Sequence, residues 1–108
     1  MVERVVKKGP GNLLRGVESV GGALRLTNQS MIFSPHAFNV QRRPLTIPLS
    51  DIVSAEGAKT LIFGLIPAFS NAIVIRMRNG DEHRFTVFGR DKWIAAISGL
   101  MEELGIRG

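Results

Sequence analysis

The 108-residue chain has no cysteine, which excludes disulfides, thiolate metal sites and cysteine nucleophiles and fits a reducing compartment. Tyrosine is also absent, tryptophan occurs once and histidine twice. No apolar run approaches the roughly 18 residues that a membrane-crossing helix needs. Met1-Val2-Glu3-Arg4-Val5-Val6-Lys7-Lys8 interleaves charge with valine and so lacks the apolar stretch of a secretory leader. These absences point to the cytoplasm, with peripheral membrane contact left open.

Catalytic motifs are missing as well. There is no H-E-x-x-H, G-x-S-x-G, P-loop or G-x-G-x-x-G pattern. His36 and His83 stand far apart in sequence. Among the carboxylates only Asp81-Glu82 and Glu102-Glu103 adjoin, and neither pair has metal-ligand spacing. The expectation is a protein that is not an enzyme, with no cofactor, no metal and no small-molecule substrate. Nucleic acid is a poor fit too, because sheet-based readers interleave exposed aromatics with basic residues. Here the six phenylalanines fall at inward or apolar-loop positions.

What is present suits one globular domain over residues 1–108. Hydrophobic residues make up 44% and charged residues 21%, close to the globular norm. Residues 1–10 read as an N-terminal arm set off by Gly9-Pro10-Gly11. Gly21-Gly22 reads as a turn after a weak strand from Leu13 to Val20. Leu24 and Leu26 alternate with polar neighbours, Met31 and Phe33 fall on one side of the next segment, and the two segments predict a hairpin. Pro48 confines Leu45–Pro48 to an edge or a strand end. Ile52 and Val53 carry another strand within 51–60.

The hairpin from Ala72 to Phe88 allows its register to be chosen. A two-residue Asn79-Gly80 turn would set Ile75 against Arg84, mixing apolar and polar side chains on one face. A three-residue loop, Arg78-Asn79-Gly80, with Gly80 left-handed pairs Ile73 with Phe85, Ile75 with His83 and Arg76 with Glu82. A one-residue slip would invert every side chain, so the bulged loop is preferred. It places His83 inside, as a core histidine.

The last segment changes period. Trp93, Ile94, Ile97, Leu100, Met101 and Leu104 form one apolar helical stripe, with Asp91 at its start and Gly105 at its stop. Gly99 lies at the stripe's edge, where it would permit close contact with a sheet. Leu24, Leu26, Phe33, Ile52, Ile73, Ile75, Phe85, Trp93 and Ile97 are the expected core. The fold class is mainly β with one C-terminal helix near 90–104: a bent antiparallel sheet or partly open barrel plugged by that helix.

Several segments, in order, resemble GRAM domains. They are Val20-Gly21-Gly22-Ala23-Leu24-Arg25-Leu26-Thr27-Asn28 with Ile32-Phe33, then Ile47-Pro48-Leu49-Ser50-Asp51-Ile52, then Asn79-Gly80 with Phe85, and Arg90-Asp91-Lys92-Trp93 with Ile97. His36 to Gln41 is similar to the stretch that follows in short prokaryotic members. The resemblance runs from about Asn12 to Leu104. It implies a pleckstrin-homology-like split barrel of about seven strands in two roughly orthogonal sheets, and a binding module for membranes, phosphoinositides or protein partners.

Two candidate surfaces follow. The uncharged stretch 61–69 is read as core strand, subunit interface or membrane wedge, with Phe63, Leu65 and Ile66 as its interaction residues. The net charge of +5 favours anionic partners at long range, and Arg42, Arg43, Lys59, Arg76 and Arg84 are the candidate headgroup contacts. Arg15 and Arg25 match two basic positions of phosphoinositide-binding relatives, while Thr27 stands where a third is expected. The leading expectation is a protein partner or homo-oligomer. An anionic membrane surface is the alternative.

Overall fold

The computed structural model describes residues 2–36, 43–59, 61–62, 66–67 and 71–106. Among these residues nine strands precede one helix: β1 (Val5–Arg15), β2 (Glu18–Thr27), β3 (Ser30–Pro35), β4 (Leu45–Pro48), β5 (Ile52–Ala58), β6 (Leu61–Ile62), β7 (Ile66–Pro67), β8 (Ala72–Met77), β9 (Glu82–Val87) and α1 (Arg90–Glu103). A single 3-10 turn, Leu49–Asp51, joins β4 to β5. Seven strands form one antiparallel sheet in the order β4-β3-β2-β1-β9-β8-β5, while β6 and β7 pair only with each other.

The sheet curls over itself. Phe33 on β3 and Phe85 on β9 are three strand steps apart, which in a flat sheet would separate them by about 14 Å. Their ring centroids are 5.9 Å apart at a tilt of 50°, a favourable aromatic geometry. Leu13, Leu24, Phe33, Ile47, Ile52, Ile73, Ile75 and Phe85 join Trp93, Ile97 and Leu100 in one core. The shell therefore has an inside lined from both wings, with the helix across it. In place of the two roughly orthogonal sheets that the resemblance implies there is one continuous sheet: β1 pairs with β2 along its length, and its Gly11–Leu13 also pair with Val87–Phe85. The edges β4 and β5 do not meet, so the shell stays open.

All nine expected core residues are buried, Leu24, Leu26, Ile52, Ile73, Ile75, Phe85 and Ile97 completely so. Trp93 packs beside Gly9, where a side chain would begin 3.6 Å from the indole. The Lys7 ammonium lies 5.1 Å above the same ring, a cation–π contact. The β8–β9 register matches the bulged reading: Ile73 faces Phe85, Ile75 faces His83 and Arg76 faces Glu82. Gly80 has φ +95°, and its amide donates to the Met77 carbonyl at 3.0 Å.

Two readings of the N-terminal half are corrected. Residues 1–10 are not chiefly an arm, because β1 starts at Val5 and runs through Gly9-Pro10-Gly11. Gly21-Gly22 is no turn, because it lies within β2; the turn is at Gly16-Val17, with Gly16 at φ +60°. Glycine is needed at position 22 for space. A β-carbon there would lie 2.7 Å from the Phe33 ring and 2.9 Å from the Pro35 α-carbon. Close backbone approach and a turn give the same glycine signal in a sequence.

The segment before β1 is fastened to the β2–β3 turn. Asn28, only 6% exposed, accepts from the Arg4 amide through Oδ1 at 2.8 Å and donates through Nδ2 to the Val2 carbonyl at 3.1 Å. The Thr27 hydroxyl donates to Glu3 at 2.8 Å and accepts from the Ser30 amide at 2.9 Å.

α1 ends as its sequence predicts. Gly105 has φ +73°, and the amides of Gly105 and Ile106 donate to Glu102 and Met101, a Schellman stop. Gly99, by contrast, is exposed and has no neighbour within 4 Å of where a β-carbon would stand, so it does not serve close packing. The two sheet edges differ. β4 is four residues long, preceded by Pro44 and ended by Pro48. β5 has seven residues and no proline.

Candidate binding surfaces

The expected basic contacts among the described residues fall in two places. Arg15 ends β1, and its Nη2 donates to the Arg43 carbonyl at 2.9 Å, so these two residues meet at the end of the shell carrying the β1–β2 turn. Arg42 lies outside the described residues. Arg76 stands on the outer face of β8, hydrogen-bonded to Glu82 and 3.6 Å from Glu56. Arg84, on the outer face of β9, donates to the carbonyl of Lys59. Arg25 is exposed on β2, and Thr27 is committed to its turn. Arg43 with Arg15, and Arg76 with Arg84, thus occupy separate places. The Arg76 charge is already offset by two carboxylates.

His83 is on the inner face opposite Ile75 and is half-buried. Burial holds its pKa below the usual 6.5, assisted by the positive charge of Arg15 and opposed by Asp81. His36 stands elsewhere, exposed beside Gly21 at the end of β3, where its amide donates to the Gly21 carbonyl at 3.1 Å. The described residues contain no group of three His, Cys, Asp or Glu arranged to hold a metal ion, and no helix among them is long and apolar enough to cross a membrane.

Of the apolar candidates, Phe63 and Leu65 lie outside the described residues. Ile66 opens β7 and pairs with Ile62 across a two-residue ladder.

One concave surface was not foreseen from the sequence. α1 is anchored at its start by Arg90, whose Nη1 donates to the Ala58 carbonyl at 3.1 Å and whose guanidinium lies over Gly57. Further along the helix, a groove of about 460 Å³ opens between α1 and β5. Val53, Ser54 and Ala55 line one side, and Ser98, Met101, Glu102, Gly105 and Ile106 line the other. Nothing pairs with the outer edge of β5 among the described residues. A bulge at Val53 shifts the ladder between Ile52 and Ser54. The Ser54 hydroxyl oxygen is buried there without a hydrogen-bond partner, which is costly unless something supplies one.

The groove combines three binding elements: strand backbone able to pair, an apolar floor from Val53, Met101 and Ile106, and one fixed charge at Glu102. Its two sides come from segments far apart in sequence, Val53 to Ala55 and Ser98 to Ile106. The one local hint is the pair Glu102-Glu103 at a helix end where acidic residues are disfavoured.

Neither a protein-family model nor a curated protein sequence matches the chain. Solved structures do match in shape. One is the C-terminal domain of an unknown protein from Leishmania infantum, with TM-score 0.71 and 20% identity over 94% of this chain and 84% of that one. The Vps36 N-terminal PH domain has TM-score 0.70 and 14% identity, covering 94% and 81%. The Slm1 PH domain, described as binding ligand in a non-canonical site, has TM-score 0.65 and 15% identity, covering 89% and 96%. At these identities the likeness speaks for architecture. The curled seven-stranded sheet with its C-terminal helix is a pleckstrin-homology-like fold.

Proposed function

We propose that the chain is a non-catalytic adaptor module of the GRAM type that takes an extended segment of a partner protein along β5, into the groove against α1. One observation carries this reading: the open edge of β5, the groove and the unpartnered Ser54 hydroxyl coincide. Added strands gain affinity from main-chain hydrogen bonds and selectivity from pockets for alternate side chains. The GRAM assignment rests on the quoted segments, in which Asn28 closes the Leu-Thr-Asn run and ties down residues 2–4.

The test begins with selection of binders from a random decapeptide display library on the intact chain. Binding of selected peptides is then compared with a Ser98→Trp variant, which fills the groove from an exposed helix position. Loss of binding with an unchanged melting temperature supports the reading. Undiminished binding, or no binder at all, overturns it. Assembly of two copies through this groove would instead appear as a dimer by light scattering that Ser98→Trp converts to monomer.

A second reading is attachment to anionic lipid, favoured by the meeting of Arg15 and Arg43 at one end of the shell. It rests on charge and so must weaken with salt. Co-sedimentation with phosphatidylserine vesicles, strong at low ionic strength and lost on Arg15→Glu, would support it over the groove.

A further inference from the structure

Resting on the groove reading above, we propose that the segment bound beside β5 presents a lysine or arginine to Glu102. Charges at the C-terminal end of α1 run against the helix dipole. Asp91 stands between Arg90 and Lys92 in the first turn, whereas Glu102 and Glu103 stand in the last, with no basic residue in that turn. A cation suits a helix C-terminus and an anion does not.

The misplaced arginine has a structural return: Arg90 crosses to Ala58 and fixes the helix on β5. Among the described residues the glutamates have none. Neither Glu102 nor Glu103 forms an ion pair with a described residue, although the chain carries 14 lysines and arginines against 9 acidic residues. In a natural fold, a local rule broken without compensation marks a functional position. Glu102 is also the single charged residue lining the groove.

The geometry selects the occupant's chemistry. A cationic side chain reaching the mouth of the groove meets the Glu102 carboxylate and the negative end of α1 together. An apolar neighbour in the same segment has Met101, Ile106 and Val53 to cover, and a main-chain or hydroxyl donor can satisfy the Ser54 oxygen. An acidic segment would meet repulsion from both carboxylates and the dipole. The overall charge of +5 makes this acidic corner a local exception, so long-range attraction toward anions and short-range selection for a cation operate at different places.

The experiment runs the decapeptide library in parallel against the unmodified chain and a Glu102→Lys variant. Peptides selected on the unmodified chain should concentrate Lys or Arg at one position, and those selected on the variant should replace it with Asp or Glu. Exchanging that residue for norleucine, or Glu102 for Gln, should weaken binding by about fivefold, the scale of an exposed ion pair. The two changes together should cost little more than either alone. Binders from both selections that show no charge preference, but still fail on Ser98→Trp, would overturn the cation assignment and leave the groove reading standing. An absence of binders, or binders indifferent to Ser98→Trp, would overturn both.

Discussion

Asn28 holds Arg4 in place from within the β2–β3 turn, its Oδ1 accepting from the Arg4 amide at 2.8 Å while the Asn28 backbone amide donates to the Arg4 carbonyl at 3.1 Å. The residue is buried, so its polar groups need these partners. Asn28→Ala should cost about 1–3 kcal/mol, measured by denaturant unfolding. Hydrogen exchange should quicken first at residues 4–7 and 28–30. If exchange rises evenly across the sheet instead, Asn28 serves the turn alone.

Two glycines predict effects of opposite sign. Gly22→Ala drives a β-carbon into the Phe33 ring and the Ser34 carbonyl, and overpacking of this kind costs about 1–3 kcal/mol. Gly99→Ala adds a methyl to an exposed helix position with open space around it. It should raise stability by about 1 kcal/mol through helix propensity. Paired thermal melts of the two variants check both.

His83 makes stability depend on pH. Its folded pKa is lowered, chiefly by burial, so between the folded value and the unfolded value near 6.5 the unfolded chain binds more protons. Stability should be level above that range, decline as pH falls through 6.5, and level off again below the folded pKa. His83→Gln should flatten this decline when unfolding is followed from pH 8 to pH 5. An unchanged slope would assign the decline to other groups.

Charge reversal at the end of α1 separates stability from binding. Glu102→Lys places a cation where the dipole favours one, so the variant should gain about 0.3–1 kcal/mol while losing the peptides selected on the unmodified chain. A variant that loses both would show that Glu102 supports the fold.

Legibility in the sequence followed the physics of each element. Phe85 and Val87 alternate with polar Arg84 and Thr86, so the bulged register sets Ile73 against Phe85 where a two-residue turn would set it against Thr86, and β8–β9 adopts the bulged one. Trp93, Ile97 and Leu100 repeat at helical spacing, and Gly105 stops the helix where the pattern ends. Gly21-Gly22 misled, because steric crowding by a neighbouring strand is a tertiary fact while glycine pairs favour turns locally. The uncharged stretch 61–69 drew attention by composition, and its residues Phe63 and Leu65 lie outside the described structure. The groove left almost no trace. Val53, Ser54 and Ala55 look like an ordinary strand, Ser98 like a solvent-facing helix position and Gly105 like a helix stop, and only folding sets them side by side. Arg76 and Arg84 looked available as ligands because their partners, Glu56 and the Lys59 carbonyl, come from a different strand and its continuation.

The unequal rims of the sheet have a further consequence. Strand addition propagates only when each newcomer offers another receptive border, as in fibrils. Here the short β4 is bracketed by Pro44 and Pro48, whereas β5 carries no such guard. On the proposed groove reading, recruitment along this molecule is capped at one guest, a stoichiometry that favours discrete complexes over open-ended polymers.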